Sequence, residues 1–282
     1  MSVSLFAFVC CLVAGVALGA HSNGIDYNHQ ELWGGVCVTG NKGHQSPINV
    51  ITANVVQNPR LAAIKFSNNW KLASAHGYFN NTGHNVQFTL DSSSPTVTTT
   101  FSNGQYQLKQ MHMHWGKTTG TGSEHRFDGD QTEVEIHFVH TRMTTAGTTS
   151  QNGFAVIAVF AEVSRASVSG FWAKLDPSRV PHANKDGFKV SNFKLSDVLP
   201  SHLNNYDYYH YDGSLTTPEC TEAVQWYLIG ERIKVPAAYL TSLRSIKDDA
   251  GKVLDANYRQ IQALNSRKVD TPAICGKSLS KC

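Results

Sequence analysis

The stretch Gln107-Leu108-Lys109-Gln110-Met111-His112-Met113-His114-Trp115, followed by Thr132-Glu133-Val134-Glu135-Ile136-His137-Phe138-Val139-His140, decides how this chain folds. Gln110–Trp115 and Glu133–Phe138 alternate polar with apolar residues, the pattern of strands whose side chains at i and i+2 leave the same face. His112 and His114 therefore share one face, and Glu135 and His137 share another. Residues 116–131 between them are rich in Gly and Thr and long enough to fold back. If the two strands pair antiparallel, three imidazoles converge on one point. Three neutral imidazoles with a fourth position left to water form the open shell of a catalytic zinc. Glu135, two residues before His137, is placed to accept from that ring and fix its tautomer. The chain has 13 histidines, so a lone His-x-His pair would carry little. A cupin site also uses His-x-His, but wants a glutamate four or five residues later; here the first is Glu124, ten residues after His114.

Outward from this pair, Asn85–Leu90 and Phe154–Val163 are short, rich in Val, Phe and Ile, and bounded by Gly, Asn, Ser and Thr clusters, which predicts further strands. Helical patterns are few, over Val168–Leu175 and over Ala237–Ser245 after Pro236. No fixed-period repeat and no Pro- or Ser-rich linker interrupts the chain, so one domain is expected, mostly β within the α+β class.

Composition sets the limits of function. The 282 residues carry a formal charge of +3 with Lys and Arg scattered, which leaves no electrostatic footprint for nucleic acid and no polybasic membrane patch. Leu5 to Leu18 is apolar or small, uncharged, and ends in Leu18-Gly19-Ala20; it suits a signal peptide over residues 1–20 and is too short for a membrane span. Secretion to the extracellular space is the expectation, with residues 21–282 as the mature domain. Cys10 and Cys11 would leave with the leader, and Cys37, Cys220, Cys275 and Cys282 remain, an even number that allows three connectivities. The polar stretch Thr271 to Cys282 reads as neither a membrane nor a lipid anchor.

The order and spacing of several motifs resemble the α-class carbonic anhydrases of the secreted type. They are His112-Met113-His114-Trp115-Gly116, Gly122-Ser123-Glu124-His125, Glu135-Ile136-His137-Phe138-Val139-His140, and Tyr211-Asp212-Gly213-Ser214-Leu215-Thr216-Thr217-Pro218 followed by Trp226. Gln45-Ser46-Pro47-Ile48-Asn49 and Asn257-Tyr258-Arg259 extend the likeness from about Tyr27 to Val269. The family implies a wide, twisted, mostly antiparallel central sheet with short peripheral helices and zinc at the bottom of a cleft. It implies reversible hydration of carbon dioxide to bicarbonate and a proton, by attack of a zinc-bound hydroxide, with carbon dioxide, bicarbonate and water as the small-molecule partners.

By the same resemblance His112, His114 and His137 would hold Zn2+. Gln110 and Glu135 would accept hydrogen bonds from His112 and His137, and a backbone carbonyl near Asn257 from His114. Zinc in carbonic anhydrases lowers the pKa of its water to about 7, a property of that family. Thr216 would accept from the hydroxide and donate to Glu124, and Thr217 would help seat bicarbonate. Val139, Val156, Leu215 and Trp226 match the apolar wall that receives carbon dioxide. His84, in Asn80-Asn81-Thr82-Gly83-His84, matches the proton shuttle. Tyr27, Thr82 and Gln87 match the residues along its water chain, where fast cytosolic relatives have Asn in place of Thr82 and Gln87.

Cys37 and Cys220 match the single disulfide of secreted members. Glu219 departs from the family, many of whose members have Pro there, and Cys275 and Cys282 have no counterpart. Asn80-Asn81-Thr82 is an acceptor sequon for N-glycosylation. Ester hydrolysis is an expected side activity, because a zinc hydroxide also attacks activated acyl carbons. A non-catalytic binding module on the same scaffold is the competing reading. The three histidines, Glu124 and Thr216 all stand in place against it.

Overall fold

A computed structural model gives the fold and describes residues 25–273, apart from 41–42, 145–148, 184–186, 202, 204 and 206, with the side chains of 149–152 also left aside. The expected signal peptide over residues 1–20, and Cys275 and Cys282, lie outside the described residues.

The strands are β1 (Asn49–Val50), β2 (Val56–Asn58), β3 (Lys65–Phe66), β4 (Ala75–Asn81), β5 (Val86–Leu90), β6 (Thr98–Phe101) and β7 (Gly104–Trp115). They continue with β8 (Arg126–Phe127), β9 (Val134–Met143), β10 (Thr149–Ser164), β11 (Phe188–Phe193), β12 (Tyr208–Gly213), β13 (Val224–Pro236) and β14 (Asp270–Pro272). Short helices α1 (Gly35–Thr39), α2 (Gly170–Lys174) and α3 (Ala237–Leu243) sit around them. Twelve strands form one sheet in the order β11-β4-β5-β7-β9-β10-β13-β12-β14-β2, with β3 and β6 attached beside β7, while β1 and β8 pair separately.

The expected β-dominated architecture is present, and the sheet is mixed. Its pairs are antiparallel except β10 with β13 and β14 with β2. The four expected strands and two expected helices occur, with β7, β9 and β10 running beyond the sequence-based limits. Strand length here is set by pairing rather than by local composition: β10 is held along its length by β9 on one side and β13 on the other.

Alternation along the central strands divides the sheet into two faces. One packs Tyr106, Leu108, Met111, Met113 and Trp115 of β7 with Ile136 and Phe138 of β9 into the larger core. The other carries a second cluster containing Val156, Ala158, Trp226 and Leu228, and it is this face that carries His112 and His137. Burial of this many apolar side chains, at about 25 cal/mol per Å² removed from water, fixes the register, since a one-residue slip would exchange the faces.

Candidate metal centre

β7 and β9 are antiparallel neighbours in which His112 stands directly across from His137, and His114 lies two residues further along the same face. The fold-back expected for residues 116–131 is present, tied by Ser123 N donating to Thr132 O at 2.8 Å. Gly116 and Gly122 make the close approach feasible: a Cβ at Gly122 would lie 2.1 Å from Glu133 O, and one at Gly116 would lie 2.4 Å from Thr121 O.

Each of the three rings has one nitrogen committed to an acceptor. His112 Nδ1 is 2.8 Å from Gln110 Oε1, His114 Nδ1 is 2.7 Å from the carbonyl of Asn257, and His137 Nε2 is 2.6 Å from Glu135 Oε1. The nitrogens left over are His112 Nε2, His114 Nε2 and His137 Nδ1. His114 Nε2 is buried and has no hydrogen-bond partner among the described residues. His112 Nε2 and His137 Nδ1 face each other at 3.3 Å. Two lone pairs held this close repel unless a cation lies between them. About 3.3 Å is also the separation of two nitrogens each 2.0–2.1 Å from one tetrahedral metal. The three histidines are accordingly a group whose ligand atoms lie within 4.8 Å of one another. Burial lowers the pKa of all three, that of His114 to about 4, so they are neutral at physiological pH, the form that binds a metal.

The support behind the triad reaches further than the residues singled out in the sequence. Glu135 is fully buried and also accepts from His125, through the backbone N–H at 2.8 Å and Nδ1 at 2.7 Å. Burial opposes ionisation of Glu135, yet the charges and hydrogen bonds of His125 and His137 hold its carboxyl well below the ordinary range. His125 Nε2 lies 2.6 Å from Tyr211 Oη, whose hydroxyl donates to Ser46 Oγ at 2.8 Å. His125, Tyr211 and Ser46 belong to motifs quoted above, but no role was read for them. The signal was the Glu124-His125 doublet beside the metal motif.

Glu124 is also fully buried, and its Oε1 accepts from the backbone N–H of Arg259 at 2.9 Å. Burial raises its pKa to about 7, against the lowering influence of His137, Thr216 and Arg259. Thr216 favours the anion from alongside, while Glu124 Oε2 is buried with no hydrogen-bond partner among the described residues. The loop carrying Thr216 is held by Leu215 N donating to Thr221 O at 3.0 Å and by Cys220 N donating to Thr217 O at 2.8 Å. A disulfide between Cys37 and Cys220 pins its end, as the resemblance implied. The Pro218–Glu219 peptide bond is cis.

Beside the triad stands an apolar wall. Val139 of β9 is paired with Val156 of β10, which is paired with Trp226 of β13, and Leu215 packs against the same cluster. Trp226 packs edge-on to the ring of His137 at 4.8 Å and donates through Nε1 to Ser214 O.

His84 lies in the turn between β4 and β5, partly buried, with Nδ1 3.4 Å from Thr82 Oγ1. Burial lowers its pKa while Asp249 raises it. Its backbone carbonyl accepts from Asn257 Nδ2, so one asparagine ties the His84 turn to His114. Gln87 is paired with His112, while Tyr27 buries a hydroxyl that has no partner among the described residues.

Comparisons with known proteins bear on this site. A family model described as eukaryotic-type carbonic anhydrase matches residues 28–273. The chain is 31% identical to carbonic anhydrase 4 of Mus musculus over 89% of its own length and 81% of that protein's. It is 33% identical to carbonic anhydrase 6 of Homo sapiens over 80% of its length and 75% of the relative's, and 35% identical to carbonic anhydrase 6 of Bos taurus over 80% and 72%.

Proposed function

The chain belongs to the eukaryotic-type carbonic anhydrases, enzymes of the reversible hydration of carbon dioxide, and from that premise we propose that it works with a zinc ion held by His112, His114 and His137. The observation that carries the proposal is the set of three ring nitrogens left free once Gln110, Asn257 and Glu135 have taken the others. Zinc bound there supplies Lewis-acid activation of water at neutral pH.

The remaining chemistry falls to the protein's own groups. Gln110 Oε1, Asn257 O and Glu135 Oε1 hold the three rings in the tautomers that present His112 Nε2, His114 Nε2 and His137 Nδ1. Thr216 and Glu124 orient the attacking oxygen, the threonine hydroxyl accepting its proton's hydrogen bond and directing its own hydrogen to the carboxylate. Val139, Val156, Leu215 and Trp226, whose indole N–H is committed to Ser214 O, form a surface without free donors, which suits an apolar substrate, and Thr217 seats the anionic product. His84 accepts the released proton through water, its imidazole being the side chain whose charge changes near neutral pH. We read residues 21–282 as the catalytic domain of a secreted protein, a reading supported by the Cys37–Cys220 disulfide, which fits an oxidising compartment. Among the described residues no helix is long and apolar enough to cross a membrane.

Metal analysis of the purified protein tests the ligand set. One zinc per chain in the wild type, and loss of it in His112→Asn, His114→Asn and His137→Asn, is expected. Retention of full zinc by all three variants would overturn the assignment.

A further inference from the structure

One cation on the wall of the cleft has no part in the chemistry described so far. Pairing of β7 with β9 is regular from Trp115 to Gln110, then shifts by one residue between Gln110 and Leu108. Lys109 is the extra residue of this β-bulge. Such a bulge places two consecutive side chains on one side of the sheet. Accordingly Leu108 and Met111 are both buried in the core, whereas Lys109 and Gln110 are both part-exposed on the face that carries His112.

Lys109 Nζ donates to Gln107 Oε1 at 2.8 Å, so the ammonium lies toward the outer end of the wall. Gln107 is paired with Thr141, and Thr141 with Phe154, one row of residues beyond Val139 and Val156. Thr141 Oγ1 is buried without a hydrogen-bond partner among the described residues. Gln107 and Thr141 therefore place polar groups at the border of the apolar wall.

The lysine's charge is not neutralised locally. Among the described residues Lys117, Lys189, Lys194 and Lys234 have carboxylate partners, whereas no ion pair is formed by Lys109. Burial lowers its pKa, a sign of an ammonium partly stripped of water. An unpaired, partly desolvated cation gains from an arriving anion.

We propose that Lys109 is a specificity-determining residue: it recruits small oxyanions of the bicarbonate type to the cleft in preference to neutral molecules of the same shape. The inference rests on the reading of this cleft as the site of carbon dioxide hydration and names a preference for charge within it. Its range is short, because exposed charges are screened over about 8 Å at physiological ionic strength. The effect therefore weakens with salt.

The test compares the zinc-loaded wild type with Lys109→Gln and Lys109→Arg, using formate as the anionic probe and formamide as its neutral near-isostere. Inhibition of carbon dioxide hydration gives an inhibition constant for each probe. Titration of 13C-labelled formate, followed by its NMR line width, gives the affinity without reference to turnover. Weaker formate binding by about two- to fivefold in Lys109→Gln is expected in both readouts, with Lys109→Arg close to the wild type and formamide unmoved. Raising the salt brings the wild type toward the Gln variant. Equal formate affinity in wild type and Lys109→Gln at low salt overturns the role of Lys109. A wild type without hydration activity, whose formate binding still depends on Lys109, overturns the proposed function and leaves the charge preference standing.

Discussion

Arg259 joins Glu124 to the disulfide. Its backbone N–H donates to Glu124 Oε1 at 2.9 Å, while its buried guanidinium donates to Cys37 O at 2.6 Å, Ser46 O at 2.7 Å and Gln45 Oε1 at 2.9 Å. Gln45 in turn donates through Nε2 to Cys220 O at 3.1 Å. The bridge thus holds two carbonyls that position the arginine behind the carboxylate, as well as the end of the loop bearing Thr216.

Loss of the bridge is therefore expected to affect both stability and rate. Its partners are 183 residues apart, and the chain-entropy model gives about 5 kcal/mol for closing so long a loop, less in practice. A Cys37→Ser, Cys220→Ser double variant should lose about 2–5 kcal/mol in guanidinium unfolding and hydrate carbon dioxide severalfold more slowly. Unchanged midpoint and rate would contradict the coupling.

His84 is expected to matter only where buffer is scarce. His84→Ala should slow turnover about tenfold or more in weak buffer, and added imidazole should restore much of the loss. Stopped-flow rates that match the wild type at every buffer strength would remove the shuttle role.

His140 gives a pH dependence away from the chemistry. It is fully buried, with Nδ1 2.9 Å from Phe138 O and 3.1 Å from Ala155 O, Nε2 3.1 Å from Thr99 Oγ1, and its ring stacked on Trp70. Burial lowers its pKa from 6.5 to about 4, so the unfolded chain binds the proton more readily. The stability it contributes is complete above about pH 6.5 and is lost as the pH falls through about 4, an effect on the order of 3 kcal/mol. Urea unfolding from pH 7.5 to 4 should show His140→Gln less stable at the upper end but with a shallower acid slope than the wild type. Parallel slopes would show that His140 does not titrate across unfolding.

Much of this was legible in the sequence because a strand's period of two is rigid. Once residues 107–115 and 132–140 are read as paired strands with Met111, Met113, Ile136 and Phe138 on the buried face, His112, His114 and His137 share the other, and Glu135 falls beside His137. The implied disulfide and the Gln110 contact are present as well. Other features depend on distant pairing. That Asn257 serves both His114 and the His84 turn follows from a loop more than 140 residues from His114 along the chain. The bulge at Lys109 shows in the sequence only as the polar doublet Lys109-Gln110, and the mismatch between β7 and β9 reveals that both side chains lie on the face that carries His112.

The central claim is that the three histidines hold the metal on which hydration depends. Its most direct test is stopped-flow hydration of carbon dioxide by the protein as purified, after removal of metal with a chelator, and after zinc is returned. Activity that disappears with the metal and returns with zinc, while His114→Asn stays inactive throughout, is the predicted result. Undiminished hydration by a folded protein shown to be free of metal would contradict it.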